Sequence, residues 1–212
     1  MATSVLIVDD HALVRAGLRG ILATAPDLVV VGEADNGEAA LKLVKQLRPA
    51  VMLLDINLSG MSGIEVTQRL QRAHSPTRII IVTMHAEGPL PRKMLGMGAK
   101  AYLSKGCPAE ELLTAIRRVA EGLHYIGADI AQQLALASFK ADESSQLDSA
   151  SPRELEVGIG IARGERSNVI AKRLAVSDKT VHTHKNRLMK KLGIQSDAEL
   201  TRILMRHGLL DR

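Results

Sequence analysis

The chain has 212 residues, 46% of them hydrophobic, and carries 28 Lys and Arg against 23 Asp and Glu, a formal net charge of +5. That length accommodates one large domain or two small ones, and no apolar run approaches the roughly 20 residues of a membrane span. A single cysteine, Cys107, excludes an internal disulfide framework and fits a reducing cytoplasm. The scarcity of aromatic residues (Tyr102, Tyr125 and Phe139) argues against single-strand binders that stack bases on aromatic platforms.

After Met1-Ala2-Thr3-Ser4, which shows no basic region or cleavage site of a signal peptide, the first apolar run is Val5-Leu6-Ile7-Val8, ending in Asp9-Asp10. Leu13, Ala16, Gly17, Leu18, Ile21 and Leu22 then keep a helical spacing. Val29-Val30-Val31-Gly32 is a second strand, Asn36-Gly37 a turn, and Ala39, Ala40, Leu43, Val44 and Leu47 a second helical stripe before Pro49. Three further runs follow: Val51 to Leu54 ending in Asp55, Ile79 to Val82 ending in Thr83, and Ala101-Tyr102-Leu103-Ser104 ending in Lys105. Strands alternating with helices predict an α/β doubly wound parallel sheet of five strands, buried on both faces.

In such a sheet the site lies beyond the carboxyl ends of the strands. Asp9, Asp10, Asp55, Thr83 and Lys105 then meet at one edge. Three carboxylates, a hydroxyl and an ammonium suit a divalent metal and a phosphoryl group. Mg²⁺ takes one or two protein carboxylates and keeps waters and phosphate oxygens. Asp55 has the chemistry of a nucleophile that forms an acyl phosphate, and Lys105 and Thr83 that of groups facing the phosphoryl oxygens. A single Asp, Thr or Lys at a strand end is commonly a cap or a solvated charge, but five at the ends of separate runs are not.

This set resembles the receiver domain of bacterial two-component response regulators, the CheY-like fold. The resemblance implies that Asp55 accepts a phosphoryl group from a phosphohistidine on a sensor kinase. It also implies that Asp10, Asp55 and the backbone carbonyl of Asn57 bind Mg²⁺, with Asp9 acting partly through water, and that Thr83 and Tyr102 are the two switch residues. Ser59 departs from the family, which usually has proline before the glycine at Gly60; losing a fixed φ is expected to loosen that turn.

Two glycine patterns, Gly96-Met97-Gly98 and Gly158-Ile159-Gly160, superficially match dinucleotide fingerprints. The mechanism needs the glycines after a strand and at the start of a helix. The first instead follows a helix, and the second lies inside a helix beginning Ser151-Pro152, an N-cap with proline at N1. Before it, residues 126–138 can form a helix, and Asp142-Glu143-Ser144-Ser145-Gln146 with Ser149-Ala150-Ser151 form a polar stretch expected as a linker. The expected organisation is a receiver over 3–121, a connector over 122–149 and a small all-α helix-turn-helix domain over 150–212.

Charge is concentrated in the last part. Residues 147–212 hold 13 Lys and Arg against 8 Asp and Glu, while residues 1–122 hold 14 against 12. Within 166–192, eight basic residues face one acid, Asp178, the footprint expected of a nucleic-acid binder. Two helices are predicted across a turn at Ala175-Val176-Ser177, the second capped by Ser177 with Asp178 in its first turn. Val181, His184, Leu188 and Leu192 form its core stripe; Lys179, His182, Thr183, Asn186 and Lys190 fall opposite, flanked by Lys185, Arg187 and Lys191. Small polar groups ringed by positive charge suit base edges in the major groove and phosphates around them. His182 and His184, two apart on a helix, do not share an ion.

Residues 151–192 resemble the LuxR/FixJ/NarL type of DNA-binding domain, through Arg153-Glu154, Ile170-Ala171, Val176-Ser177, Thr180-Val181 and Lys191-Leu192 among others. The resemblance implies base contacts from His182, Thr183 and Asn186, with Lys179, Thr180, Lys185, Arg187 and Lys190 completing the interface with double-stranded DNA. Gly158 and Gly160 stand where the family usually has leucine, and each is expected to weaken its helix by roughly 0.5–1 kcal/mol and to forfeit buried packing. Across nearly the whole chain, Pro89-Leu90-Pro91-Arg92, residues 125–134, Asp197 to Thr201 and Arg206 to Leu209 look like the GacA/UvrY branch. That likeness implies a hybrid sensor kinase of the GacS/BarA type as phosphodonor, control of promoters for small regulatory RNAs, and a homodimer when phosphorylated. The expected output is transcription regulation in the cytoplasm, with no membrane partner. The protein is expected to be no enzyme, because an enzyme using these aspartates would need an added general acid and a substrate pocket.

Overall fold

The computed structural model describes residues 2–84, 89–139, 146–174, 176–206 and 209–210. Within the expected linker, residues 142–145 lie outside the described residues, as do Ala175 of the expected turn and His207 and Gly208 near the end. The chain divides into two compact units, Met1–Ala86 with Pro91–Ala135, and Glu87–Leu90 with Leu136–Arg212.

The first unit alternates strand and helix: β1 (Thr3–Val8), α1 (Ala12–Ala23), β2 (Leu28–Ala34), α2 (Gly37–Leu47), β3 (Val51–Leu54), α3 (Gly63–Arg72), β4 (Arg78–Thr83), α4 (Leu90–Gly96), β5 (Ala101–Ser104), α5 (Ala109–Ala120) and β6 (Tyr125–Ile126). The strands lie in the order β2-β1-β3-β4-β5-β6, and every pair is parallel. Among the described residues the sheet therefore has six strands where five were expected. The extra one is only two residues long, too short to show a period of two. It pairs Tyr125 and Ile126 with Ala101 and Tyr102.

Alternation sends Val5, Ile7, Leu53, Ile80, Val82 and Leu103 to one face, where Leu18 and Leu22 of α1 and Leu112, Ile116 and Val119 of α5 cover them. Leu6, Met52, Leu54, Ile79 and Ile81, the alternate residues, are also buried, so the sheet is covered on both faces. Register places Val8 beside Leu54 and Leu54 beside Ile81, which aligns the strand ends. The chain reverses direction across the sheet between β1 and β3, the switch point at which open α/β sheets hold their ligands. Asn36 and Ser62 cap α2 and α3 by accepting the amides of Ala39 and Glu65. Gly63 starts α3 because nothing larger fits: a Cβ would lie 2.1 Å from the carbonyl oxygen of Asp55.

After β6, α6 (Ala128–Phe139) begins with the Ala128 amide donating to Glu111 of α5. In the second unit, Gln146–Ser149, expected within the linker, form a 3₁₀ turn in which Leu147 is wholly buried. Helices α7 (Pro152–Ala162), α8 (Ser167–Leu174), α9 (Asp178–Leu192) and α10 (Asp197–Arg206) follow. Ser151 and Glu154 form a reciprocal capping box with Pro152 in the first turn. Val157, Ile170, Ala171, Leu174 and Val181 form a core. Lys191 ties α9 down by donating to the Ser149 carbonyl at 2.8 Å and to Glu154 at 2.6 Å. Burial raises the Glu154 carboxyl, but Lys191 and the Ser151 amide outweigh it and leave it below the usual range.

Helix α7 runs unbroken through Gly158 and Gly160. The expected loss of packing is corrected here. A Cβ on Gly158 would meet Leu188 Cδ2 at 2.6 Å, and one on Gly160 would meet Ile170 Cδ1 and Arg173 Nη2 at 3.0 Å. Side chains of α8 and α9 thus occupy the room beside both glycines. Among the described residues, no helix is long and apolar enough to cross a membrane.

Candidate functional site

The carboxyl ends of β1, β3, β4 and β5 bring the five sequence-predicted groups to one edge. Asp9 and Asp55 follow β1 and β3 and are 1% and 2% exposed, and Thr83 and Tyr102 are wholly buried. The Lys105 ammonium bridges the two aspartates, 2.8 Å from Asp9 Oδ2 and 2.7 Å from Asp55 Oδ2. The Arg15 guanidinium donates to the Asp9 carbonyl at 2.7 Å and fixes the loop after β1.

Asp10 is half-buried, with one hydrogen bond to it and one close neighbour that spacing does not disclose, and its Oδ1 has no hydrogen-bond partner. His11 Nδ1 lies 2.9 Å from its Oδ1, and the Ser59 amide donates to its Oδ2 at 3.1 Å. The expected loosening at Ser59 therefore has a counterpart: proline has no amide hydrogen and could not make this bond. The adjacency of His11 to Asp9-Asp10 was the available signal for its role. Gly60 completes the turn with φ +74°, a conformation glycine adopts without strain.

Burial raises the Asp55 carboxyl above its ordinary 3.8, with the charge of Asp9 adding to it, while Lys105 and the Asn57 amide oppose it. Burial alone would lower the Lys105 ammonium, but its bonds to Asp55 and Asp9 outweigh that and raise it. Burial likewise raises the Tyr102 hydroxyl, with the Asp55 charge adding to it. Oxygen and nitrogen ligand atoms of Asp9, Asp10, His11 and Asp55 lie within 4.8 Å of one another. Asp55 Oδ1 is buried without a hydrogen-bond partner. Three carboxylates against one ammonium leave negative charge in a largely buried place, and two unpartnered hard oxygens, Asp10 Oδ1 and Asp55 Oδ1, sit among them. A divalent, oxygen-seeking cation such as Mg²⁺ fits both features.

The second cluster is on α9. Ser177 caps the helix by accepting the Thr180 amide at 3.1 Å, and Gly193 ends it in a left-handed C-cap. Val181, Leu188 and Leu192 are buried, with His184 half-buried beside them, as the spacing predicts. Lys179, His182, Thr183, Asn186, Arg187 and Lys190 are exposed, and Thr180 is half-exposed. The Thr183 hydroxyl donates to the Lys179 carbonyl at 2.8 Å, so its oxygen faces outward as an acceptor. Lys185 is drawn aside by an ion pair with Asp197 at 2.6 Å, a contact that spacing along one helix does not disclose.

Residues 5–117 match the response regulator receiver domain, and residues 148–204 match the luxR family of bacterial regulatory proteins. The chain is a response regulator of this receiver–LuxR family. It is 43% identical over 208 residues to the response regulator GacA of Pseudomonas aeruginosa, covering 98% of this chain and 97% of that one. The response regulator UvrY of Escherichia coli K12 is 43% identical over 207 residues, covering 97% and 95%. Among solved structures, RcsB of Salmonella enterica serovar Typhimurium, bound to the promoter P1flhDC in the presence of phosphomimetic BeF3-, superposes with a TM-score of 0.79 at 25% identity, covering 97% of this chain and all of that one. The chain is thus a transcription regulator of the two-component type, with receiver and LuxR-type DNA-binding regions.

Proposed function

We propose that Asp55 accepts a phosphoryl group from a sensor histidine kinase and that the acyl phosphate controls binding of α9 to double-stranded DNA. The observation that carries this is the Asp55 carboxylate itself: buried, with Oδ2 on Lys105 and Oδ1 unpartnered in an acidic cluster. In the transfer, a carboxylate oxygen of Asp55 forms a bond to phosphorus as the bond to the donor histidine nitrogen breaks, and the imidazole leaves with that electron pair. Lys105 holds positive charge beside the oxygens of the incoming group. Asp9, Asp10, Asp55 and the backbone carbonyl of Asn57 are the residues that would hold Mg²⁺, which supplies screening of the carboxylates and of the phosphoryl charge.

The Thr83 hydroxyl then bonds the phosphoryl oxygens, and Tyr102 packs into the room it leaves. Phosphorylation adds roughly −1.5 to −2 charges. The altered surface around β4 and β5 releases or pairs the DNA-binding regions, so that two copies of α9 about one helical turn apart read a two-fold symmetric site. His182, Thr183 and Asn186 reach base edges; Lys179, Thr180, Arg187 and Lys190 contact the backbone, and Lys185 joins them by leaving its ion pair with Asp197. The chain is organised as a receiver over 3–121, a connector over 122–149 and a DNA-binding domain over 150–212. Its output is regulated transcription in the cytoplasm rather than a chemical product. Likeness to GacA and UvrY along the whole chain supports a hybrid kinase of the GacS/BarA type as donor.

The test is binding to a two-fold symmetric promoter fragment at fixed salt, with and without acetyl phosphate and Mg²⁺, for wild type and Asp55→Ala. Tightening confined to the phosphorylated wild type is expected. Equal affinity in all four conditions would overturn the switch.

A further inference from the structure

At the other edge of the sheet, where β3 and β4 begin, a cavity of about 620 Å³ opens between the C-terminal ends of α2 and α3. Its walls are apolar: Leu41 and Val44 from α2, Leu70 from α3, and Ala73 and Pro76 from the turn that follows. Lys45, Arg48 and Arg69 also line it, and among the described residues no carboxylate does. Glu65 neutralises Arg69. Among the described residues no ion pair or side-chain hydrogen bond engages Lys45 or Arg48. Two uncompensated cations therefore stand at the mouth of an aliphatic pocket.

The backbone at both sides is unusual. Arg48 ends α2 with φ 45°, and His74 follows α3 with φ 48°; these are the left-handed non-glycine residues among those described. A side chain in that region persists only where the surroundings hold it. Here the two turns carry Arg48 to one side of the cavity and Ser75-Pro76 to the other. The volume falls within the range of small-molecule sites, which are mostly apolar with a few placed polar groups.

We propose that this cavity binds an amphipathic organic anion, a carboxylate with an aliphatic chain. The chain lies along Leu41, Val44, Leu70 and Pro76, and the carboxylate takes the charges of Lys45 and Arg48. The site is separate from the acid pocket and uses none of its residues.

Titration of the full chain with decanoate, followed by backbone amide NMR, tests it. Saturable shifts confined to Leu41 to Arg48 and Leu70 to Thr77 are expected, with acetate and decanol each binding more weakly than decanoate. A Lys45→Gln/Arg48→Gln protein should bind decanoate about tenfold more weakly, a difference of about 1.4 kcal/mol. It should keep its melting temperature and its labelling by acetyl phosphate. Decanol binding as tightly as decanoate would overturn the anion site. So would unchanged affinity in the double variant, or shifts that are absent or scattered over the surface.

Discussion

The acid pocket and the recognition helix hold their polar groups in opposite ways. Asp9 and Asp55 are nearly inaccessible and share one ammonium, so each charge there depends on its neighbours. On α9, Lys179, His182, Asn186 and Lys190 stand exposed, with few bonds inside the protein. A buried reacting centre needs preorganised partners, because an unpaired charge in low dielectric is expensive. A surface that reads another molecule needs donors and acceptors left free for it. The first should fail as a unit when one member is removed, and the second residue by residue.

The largest effect should come from Lys105→Ala, which leaves Asp9 and Asp55 facing each other without a cation. Without metal at neutral pH, denaturant melts should show a loss of about 3 kcal/mol, partly restored by Mg²⁺. The deficit should shrink in acid. Lys105 holds down the Asp55 carboxyl that burial raises above 3.8, so its loss raises that carboxyl further; a raised carboxyl contributes its stability below 3.8 and loses it as pH rises through the folded value. An undiminished deficit at low pH would mean that the loss is packing rather than charge. Smaller, graded changes are expected on α9. Asn186→Ala should cost about 1–3 kcal/mol at one base position and relax selectivity there. Lys179→Ala should instead weaken binding to all sequences and reduce the salt slope by about 1. Identical, sequence-independent losses from both would erase the distinction between base readers and phosphate contacts.

The smallest effects separate two glycines. Gly20 in α1 has nothing within 4 Å of a Cβ, whereas Gly158 has Leu188 at 2.6 Å. Gly20→Ala should raise stability by about 0.5–1 kcal/mol. Gly158→Ala should gain less than that or lose stability, because Leu188 must shift; equal gains in the two melts would show that α9 yields freely.

Much of this was readable along the chain, for a physical reason. A strand buried on both faces must be apolar throughout, so its last polar residue marks the sheet edge, and Asp9, Asp55, Thr83 and Lys105 stood out for that alone. The helix period likewise separated Val181, Leu188 and Leu192 from His182 and Asn186. What escaped notice depends on approach through space. The pairing of Lys185 with Asp197, the Ser59 amide on Asp10 and the fit of Leu188 over Gly158 join separate elements, and no local spacing encodes them. Strand β6 escaped for want of length.

The start of α3 has one more consequence. The Gly63 amide donates to the Ile56 carbonyl at 2.9 Å, and the same glycine lies against the Asp55 carbonyl. The segment between them is a closed ring with a set perimeter, and Ser59 on its rim reaches Asp10. Most surface loops absorb an added residue by bulging outward. Here both ends are fixed, so one residue more should disturb the reach of the Ser59 amide to Asp10. Length, and not composition alone, therefore sets where the Ser59 amide meets Asp10.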